Sequence, residues 1–209
     1  SNDHNLKDRL ENMYENTECF LMSDNLGYGK ANNFGIIKSN TDYVFILNPD
    51  TKITDEKFTK IVSLLQEQDF AIAAPQIVEK NIVYKQNKSD HQIKKVEHVF
   101  GMAMILNKRK FDNNFFDENI FLYHEEIDLC KRMINIGQNI LELNIQLNHL
   151  GNQSHGGYDF EMEKSRNWHW MWSKFYFYKK HHNYFYSFFK TLPNFLSSIF
   201  KFLIYKLLR

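Results

Sequence analysis

Tyr43-Val44-Phe45-Ile46-Leu47-Asn48-Pro49-Asp50-Thr51 sets five apolar residues in a row against three turn formers. A run this short and this apolar reads as a strand buried on both faces, ended by the turn that follows. Its neighbours set the context. Upstream, Asn25-Leu26-Gly27-Tyr28-Gly29-Lys30-Ala31-Asn32-Asn33-Phe34-Gly35 is rich in Gly and Asn and becomes helical through about Lys38. Downstream, Thr54 can cap a helix running to about Gln68, with Phe58, Ile61, Leu64 and Leu65 inward. Phe70 to Ala74 is a second apolar strand, stopped by Pro75. Strands alternating with helices in this rhythm predict an α/β domain built on a parallel sheet.

Further out the pattern is less regular. Asn5 to Asn16 reads as an amphipathic helix with Leu6, Leu10 and Met13 on one face, and Cys19 to Met22 as a short buried strand. Gln76 to Lys95 is polar with weak hairpin character, and Val96 to Leu106 is a strand containing Gly101. Phe111 to Phe121 is a loop of acids and aromatics. Glu125 to Ile136 is a helix with Ile127, Cys130 and Ile134 on one face, stopped by Gly137. Ile140 to Leu143 and Ile145 to Leu147 are short strands leading to His149, and Phe160 to His182 is a long aromatic helix.

Composition bounds the function. The chain has 209 residues, enough for a substantial core, with 26 Lys plus Arg against 25 Asp plus Glu. A net charge of +1 gives no field for gripping nucleic acid, so no nucleic-acid partner is expected. Hydrophobic residues at 43% exclude wholesale disorder. Cys19 and Cys130 stand among apolar residues and read as reduced core residues of a cytosolic protein.

Aromatic residues crowd the C-terminal third. From Asn183 to Arg209 the chain holds six Phe and three Tyr, punctuated by Lys190, Lys201, Lys206 and Arg209. The charge-free run Thr191 to Phe200 falls short of the ~20 apolar residues a bilayer span needs. A basic, aromatic, amphipathic helix suits the membrane interface. Residues 183–209 are therefore expected to form a membrane-associating tail, separate from a domain over 1–182.

Three constellations carry chemistry. Asn48-Pro49-Asp50 ends an apolar strand, where open α/β sheets bind ligands. A carboxylate there suits Mg²⁺ or Mn²⁺, which take oxygen ligands and bridge to phosphates; the same three residues also simply make a turn. Phe116-Asp117-Glu118 and Phe121-Leu122-Tyr123-His124-Glu125-Glu126-Ile127-Asp128 put five carboxylates within twelve residues. Acids at a helix N-terminus meet the positive end of its dipole, which favours the ionised form a general base requires. Glu125 and Asp128 share a face, while Glu126 points elsewhere. Capping acids and surface charge would look alike in sequence. Third, His149-Leu150-Gly151-Asn152-Gln153-Ser154-His155 follows a strand, where a His can bind metal or phosphate or serve structure.

In this order the segments 25–35, 43–51, 101–106, 116–132 and 149–154 resemble a family 2 glycosyltransferase of the GT-A fold, in its rhamnosyltransferase-like branch. The resemblance covers roughly residues 1–182. It implies an α/β nucleotide-diphospho-sugar transferase fold with a mostly parallel central sheet flanked by helices and a C-terminal amphipathic tail. It implies a divalent cation, Mg²⁺ or Mn²⁺, on Asp50 with His149 completing the cation or diphosphate site. Asn48 stands where many members have Asp. Asn25, Gly27 and Asn33, with Tyr28 and Lys30 among them, match the segment lining the sugar-nucleotide site, and Gly101 a small residue near the donor sugar. Glu125 and Glu126 match the Glu-Asp pair whose second acid is the usual base, with Asp128 beside them as a third candidate.

The implied function is inverting transfer of a sugar, rhamnose or another hexose, from a nucleotide-sugar donor to a cell-surface polysaccharide or lipid-linked acceptor, on the inner face of the cell membrane. The alternative is a truncated or degenerate transferase that docks membranes without catalysis. The family's opening strand-helix-strand unit, about 30 to 40 residues, is expected to be missing before Ser1-Asn2-Asp3, leaving an N-terminally incomplete domain.

Overall fold

A computed structural model describes residues 3–84, 91–150 and 160–207. Helix α1 (His4–Met13) is capped by Asp3, whose carboxylate accepts from Leu6 N. It buries no residue, so Leu6 and Met13 remain exposed. The expected strand at Cys19–Met22 is not formed, because its backbone bonds to side chains instead of a ladder. Cys19 N donates to Glu11 and Lys7 donates to the Cys19 carbonyl.

Helix α2 (Tyr28–Lys38) leads into β1 (Tyr43–Leu47), the two-residue β2 (Thr51–Lys52) and α3 (Asp55–Leu65). The Thr54 side chain accepts from Lys57 N, a cap that contributes about 1 kcal/mol. Phe58, expected inward on α3, is 48% exposed and stacks on Phe45 at the sheet's rim. Strand β3 (Ile72–Glu79) runs on through Pro75 instead of stopping there. A register shift between Pro75 and Gln76 absorbs the proline as a bulge.

Lys80 and Asn81, both with positive φ, turn β3 into β4 (Ile82–Tyr84). Next come β5 (Ile93–Lys95), β6 (Ala103–Asn107) and α4 (Glu125–Asn135), which Gly137 ends in the left-handed region at φ 80°. The two short strands expected after it are one ten-residue strand, β7 (Ile140–His149). Two long helices follow, α5 (Phe160–His181) and α6 (Tyr184–Leu207).

Among the described residues the strands form one sheet in the order β1-β6-β3-β7-β2, with β4 on β3 and β5 on β7. Only β3 and β7 pair in parallel. The expected mostly parallel sheet is thus corrected to a mixed one. β1, β3 and β7 do share a direction, as the strand-helix-strand rhythm requires, but β6 is inserted between β1 and β3 antiparallel to both. Its hydrophobic pattern is that of a strand buried on both faces, and such a pattern carries no sign of direction.

The two-residue period splits the core. Ile72, Ala74, Met104 and Leu106 face α2 and α4, packing with Ile36, Leu129, Cys130 and Met133. Ala73, Ile77, Ala103 and Ile105 face α3 and Ile61 and Leu65, alongside Leu141, Leu143 and Leu147 of β7. The buried face of α4 is therefore Leu129, Cys130 and Met133, one position round from the expected stripe; Ile134 is exposed. Both cysteines are free, Cys130 buried and Cys19 half-buried.

Helix α6 folds back on α5. Ser187, fully buried, donates to the Phe175 carbonyl at 2.6 Å, and Lys174 reaches Asn194 at 2.9 Å. The face of α6 toward α5 thus combines Ser187 and Asn194 with Tyr184 against Phe175 and Tyr186 against Tyr178. Phe185, Phe189, Leu196 and Phe200 form the opposite stripe, with Phe185 74% and Phe189 68% exposed. Among the described residues no helix is long and apolar enough to cross a membrane.

Candidate active site

The shared direction of β1, β3 and β7 brings their carboxyl ends to one edge of the sheet, and the candidate residues assemble there. At the end of β1, Asn48 N donates to the Met102 carbonyl and the Asn48 carbonyl accepts from Thr51 N, so Asn48 to Thr51 is a turn beside the start of β6. β2 then pairs with the end of β7, Thr51 opposite His149. This places Asp50 Oδ1 3.0 Å from His149 Nε2, while Leu150 N bonds the Asp50 carbonyl. Two residues 99 positions apart, paired by resemblance alone, are in contact.

The other imidazole nitrogen, Nδ1, lies 3.3 Å from Glu79 Oε2 at the end of β3. Glu79 is absent from the sequence reading because that reading stopped the strand at Pro75. The rest of the third constellation, residues 151–155, lies outside the described residues.

The donor set at Asp50 and His149 fits a hard divalent cation. Bonds of ~2.1 Å at right angles separate adjacent ligands by ~3.0 Å, the separation of Oδ1 and Nε2 here. Among the described residues no group of three or more His, Cys, Asp or Glu side chains makes a complete metal site. Asp50 and His149 are the residues that would hold such a cation, whose remaining ligands would be substrate phosphate and water.

The acid pair sits a short step along the same edge. Tyr28 N donates to the Phe121 carbonyl at 2.9 Å, and the Tyr28 hydroxyl donates to the Gly101 carbonyl. Gly27 enters this junction at φ 75°, and a Cβ added to it would overlap the Phe121 carbonyl and ring. A Cβ on Gly101 would lie 3.2 Å from the Tyr28 hydroxyl. Gly101 also adjoins Met102, which receives the Asn48 bond. Burial, then the charges of Glu125 and Glu126, push the Tyr28 phenol well above its ordinary value. Tyr28, Gly101, Glu125 and Glu126 therefore form one cluster.

Glu125 is 5% exposed. Glu125 Oε2 and Glu126 Oε2 are both buried, and among the described residues neither finds a hydrogen-bond partner. Burial raises both carboxyl pKa values, and the neighbouring Glu126 charge raises that of Glu125 further. Backbone N–H groups at the helix N-terminus oppose the shift at Glu126 without reversing it. The expectation that the dipole would hold these acids ionised is corrected: loss of water outweighs the dipole.

The segment before the pair is strained and clamped. Tyr123 and His124 both adopt φ 69°, the left-handed region non-glycine residues avoid at a cost of roughly 1–2 kcal/mol each. α5 holds every residue of the approach. His169 stacks on Phe121 and Ser173 donates to the Leu122 carbonyl. Arg166 bonds the Tyr123 hydroxyl, and Trp170 and Phe177 pack edge-on to His124. Burial, with the charges of Lys174 and His98, lowers His124 to about 4, so it stays neutral at the helix start.

Four expected site residues are placed elsewhere. Asn33 clamps Phe116, donating to its carbonyl and accepting from its N–H, both at 2.9 Å, so its amide is structural. Asp128, 0% exposed, is surrounded by Arg132, Lys180 and His181 and is not an available base. Lys180 also bonds Asp117; burial pushes the Asp117 carboxyl up, but Lys180 and Asn119 bring it down to about 2. Lys30 is exposed, 4.0 Å from Glu118. Asn25, also exposed, accepts from Gly27 N and shapes the turn into α2.

This α/β architecture is the GT-A fold. It is similar to the crystal structure of GalNAc-T7 with UDP, GalNAc and Mn²⁺, at a TM-score of 0.58 and 9% identity over 71% of this chain and 35% of that one. Residues 3–133 match the family model described as Glycosyl transferase family 2, and the chain belongs to that family. It is 29% identical over 143 residues to the low-salt glycan biosynthesis hexosyltransferase Agl10 of Haloferax volcanii, an alignment covering 54% of this chain and 46% of that protein. The chain thus spans under half the length of the relative it matches.

Proposed function

We propose that this chain carries the catalytic domain of an inverting glycosyltransferase, moving a hexosyl unit, rhamnose among the candidates, from a nucleoside-diphosphate donor to a cell-surface polysaccharide or lipid-linked acceptor. The observation that carries the reading is the Glu125–Glu126 pair, whose Oε2 atoms are buried and, among the described residues, without a hydrogen-bond partner. A carboxylate raised toward neutrality is a better proton acceptor than one at its ordinary value. Glu126 takes the proton of the acceptor hydroxyl as its oxygen bonds to the anomeric carbon. The bond from that carbon to the diphosphate breaks, and its electron pair leaves with the diphosphate. Burial keeps Glu126 basic, and Tyr28 and Gly101 line the donor side. Asp50 and His149 would hold Mg²⁺ or Mn²⁺, which supplies charge stabilisation to the leaving diphosphate.

The membrane surface is the second proposed partner. Residues 184–209 contain four basic residues and no acid, and α6 turns its apolar stripe away from α5. A bilayer with anionic lipids matches both features, at ~1 kcal/mol per basic residue near the surface. The proposed location is the inner face of the cell membrane, where nucleotide sugars and a lipid-linked acceptor meet.

The test is Mn²⁺-supported donor turnover by wild type, Glu126→Gln, Glu125→Gln and Asp50→Ala. Loss of the base should lower turnover ~10²–10⁴-fold in Glu126→Gln. Turnover unchanged in both Glu126→Gln and Asp50→Ala overturns the assignment. A wild-type chain that turns over no donor yet co-sediments with anionic vesicles favours the alternative, a transferase-like membrane-docking module.

A further inference from the structure

The structure assigns Glu79 a role beyond the proposed ligand set: we infer that it is the positioning residue that fixes the ring of His149 so that Nε2 faces the cation site. This inference rests on the cation reading above. The parallel pairing of β3 and β7 runs Ile77 beside Leu147 and Val78 beside Asn148, so the next residues, Glu79 and His149, are neighbours across the ladder. Both side chains are largely covered, and Glu79 Oε2 lies 3.3 Å from Nδ1 while Nε2 points to Asp50 3.0 Å away. The two nitrogens thus face two different carboxylates on opposite sides of the ring.

Each ring nitrogen meets a different carboxylate oxygen, and a carboxylate beside Nδ1 accepts the hydrogen carried there. A cation bound beside Asp50 would replace the hydrogen on Nε2, while the Nδ1 contact with Glu79 would keep the ring in place. A carboxylate on the far nitrogen of a metal-binding histidine sets both tautomer and orientation, and its loss typically weakens metal binding ~10- to 100-fold. The bulge at Pro75 is part of the device. It shifts the pairing partner of Gln76 from the residue after Leu143 to Gln146, and that register brings Glu79 level with His149.

The experiment is Mn²⁺ binding followed by the electron paramagnetic resonance of the free ion, with and without UDP, on the whole chain. Glu79→Ala should weaken Mn²⁺ binding ~10- to 100-fold. Glu79→Gln, whose amide oxygen still accepts from Nδ1, should recover most of that loss. In a His149→Ala background Glu79→Ala should add nothing. Unchanged affinity in Glu79→Ala, or an equal loss with and without His149, overturns the inference while leaving the cation reading intact; in the second case Glu79 acts on the ion directly. Wild type that binds no Mn²⁺ under either condition overturns both. Unfolding curves for each variant exclude loss of structure as the cause.

Discussion

Replacing Asp128 with alanine removes the one acceptor at which Arg132 Nε (2.9 Å), Lys180 Nζ (2.8 Å) and His181 Nε2 (2.8 Å) meet. Removing one partner of a buried ion pair costs about 3–5 kcal/mol, because the opposite charge is left dehydrated. Two of the three donors keep other acceptors. Lys180 retains Asp117, and Arg132 retains the carbonyls of Asn114 and Phe115. The cost therefore belongs at the lower end, about 3 kcal/mol, or ~150-fold in the folding equilibrium at 1.36 kcal/mol per decade. Asp128→Asn keeps the shape and one acceptor oxygen and should cost less. Urea unfolding monitored by far-ultraviolet circular dichroism measures both, with donor turnover recorded on fully folded protein. An unchanged midpoint in Asp128→Ala, together with a thousandfold loss of turnover, would place Asp128 in the chemistry and refute the structural assignment.

Three further outcomes are expected. Glu125 and Glu126 hold protons more tightly folded than unfolded, so the native state binds more protons than the unfolded one above the ordinary value of 4.5. Stability should therefore fall as pH rises from about 4.5 through neutrality, and Glu125→Gln should flatten that decline in unfolding curves at pH 5, 6, 7 and 8. Gly27→Ala meets both the Phe121 carbonyl and a positive φ; a loss of about 2 kcal/mol or more is expected by thermal unfolding, far above that of Gly35→Ala, where a Cβ meets open space. Serine at Phe185, Phe189 and Phe200 together should abolish co-sedimentation with phosphatidylserine-containing vesicles while leaving the circular dichroism spectrum unchanged. Equal partitioning of this variant and wild type removes the membrane proposal.

Local signals were read well where one element decides them. The Thr54 cap and the Gly137 stop each depend on a few neighbouring residues, and both formed; Tyr43–Leu47 is a strand too, but at the edge of the sheet with Tyr43 and Leu47 exposed instead of buried on both faces. Errors arose where a distant partner decides. Cys19–Met22 has strand composition but no ladder, since Lys7 and Glu11 take its backbone groups. Pro75 looks like a terminator in sequence, but β7 accommodates it as a bulge and β3 runs on to Glu79. At the site, the Glu125–Glu126 pair was legible from composition and position, but its protonation was not. The dipole is visible in sequence, whereas the burial that overrides it is a tertiary fact. Asp128 shares a helix face with Glu125, and only the arrival of Lys180 and His181 from α5 shows that it is an anchor.

The grip of α5 on residues 121–124 also bears on when the site comes into being. The acid pair is translated some 50 residues before its clamp is complete, since Phe177 and His181 close it. Chains emerge N-terminus first. A nascent chain ending before α5 would hold all seven described strands and both acids, yet nothing would hold Tyr123 and His124 in the left-handed region. The acids would then sit on a frayed helix start. Ordering of the proposed site is thus a late folding event, and in hydrogen exchange residues 121–128 should open together with α5, as one cooperative unit, and not with the sheet beneath them.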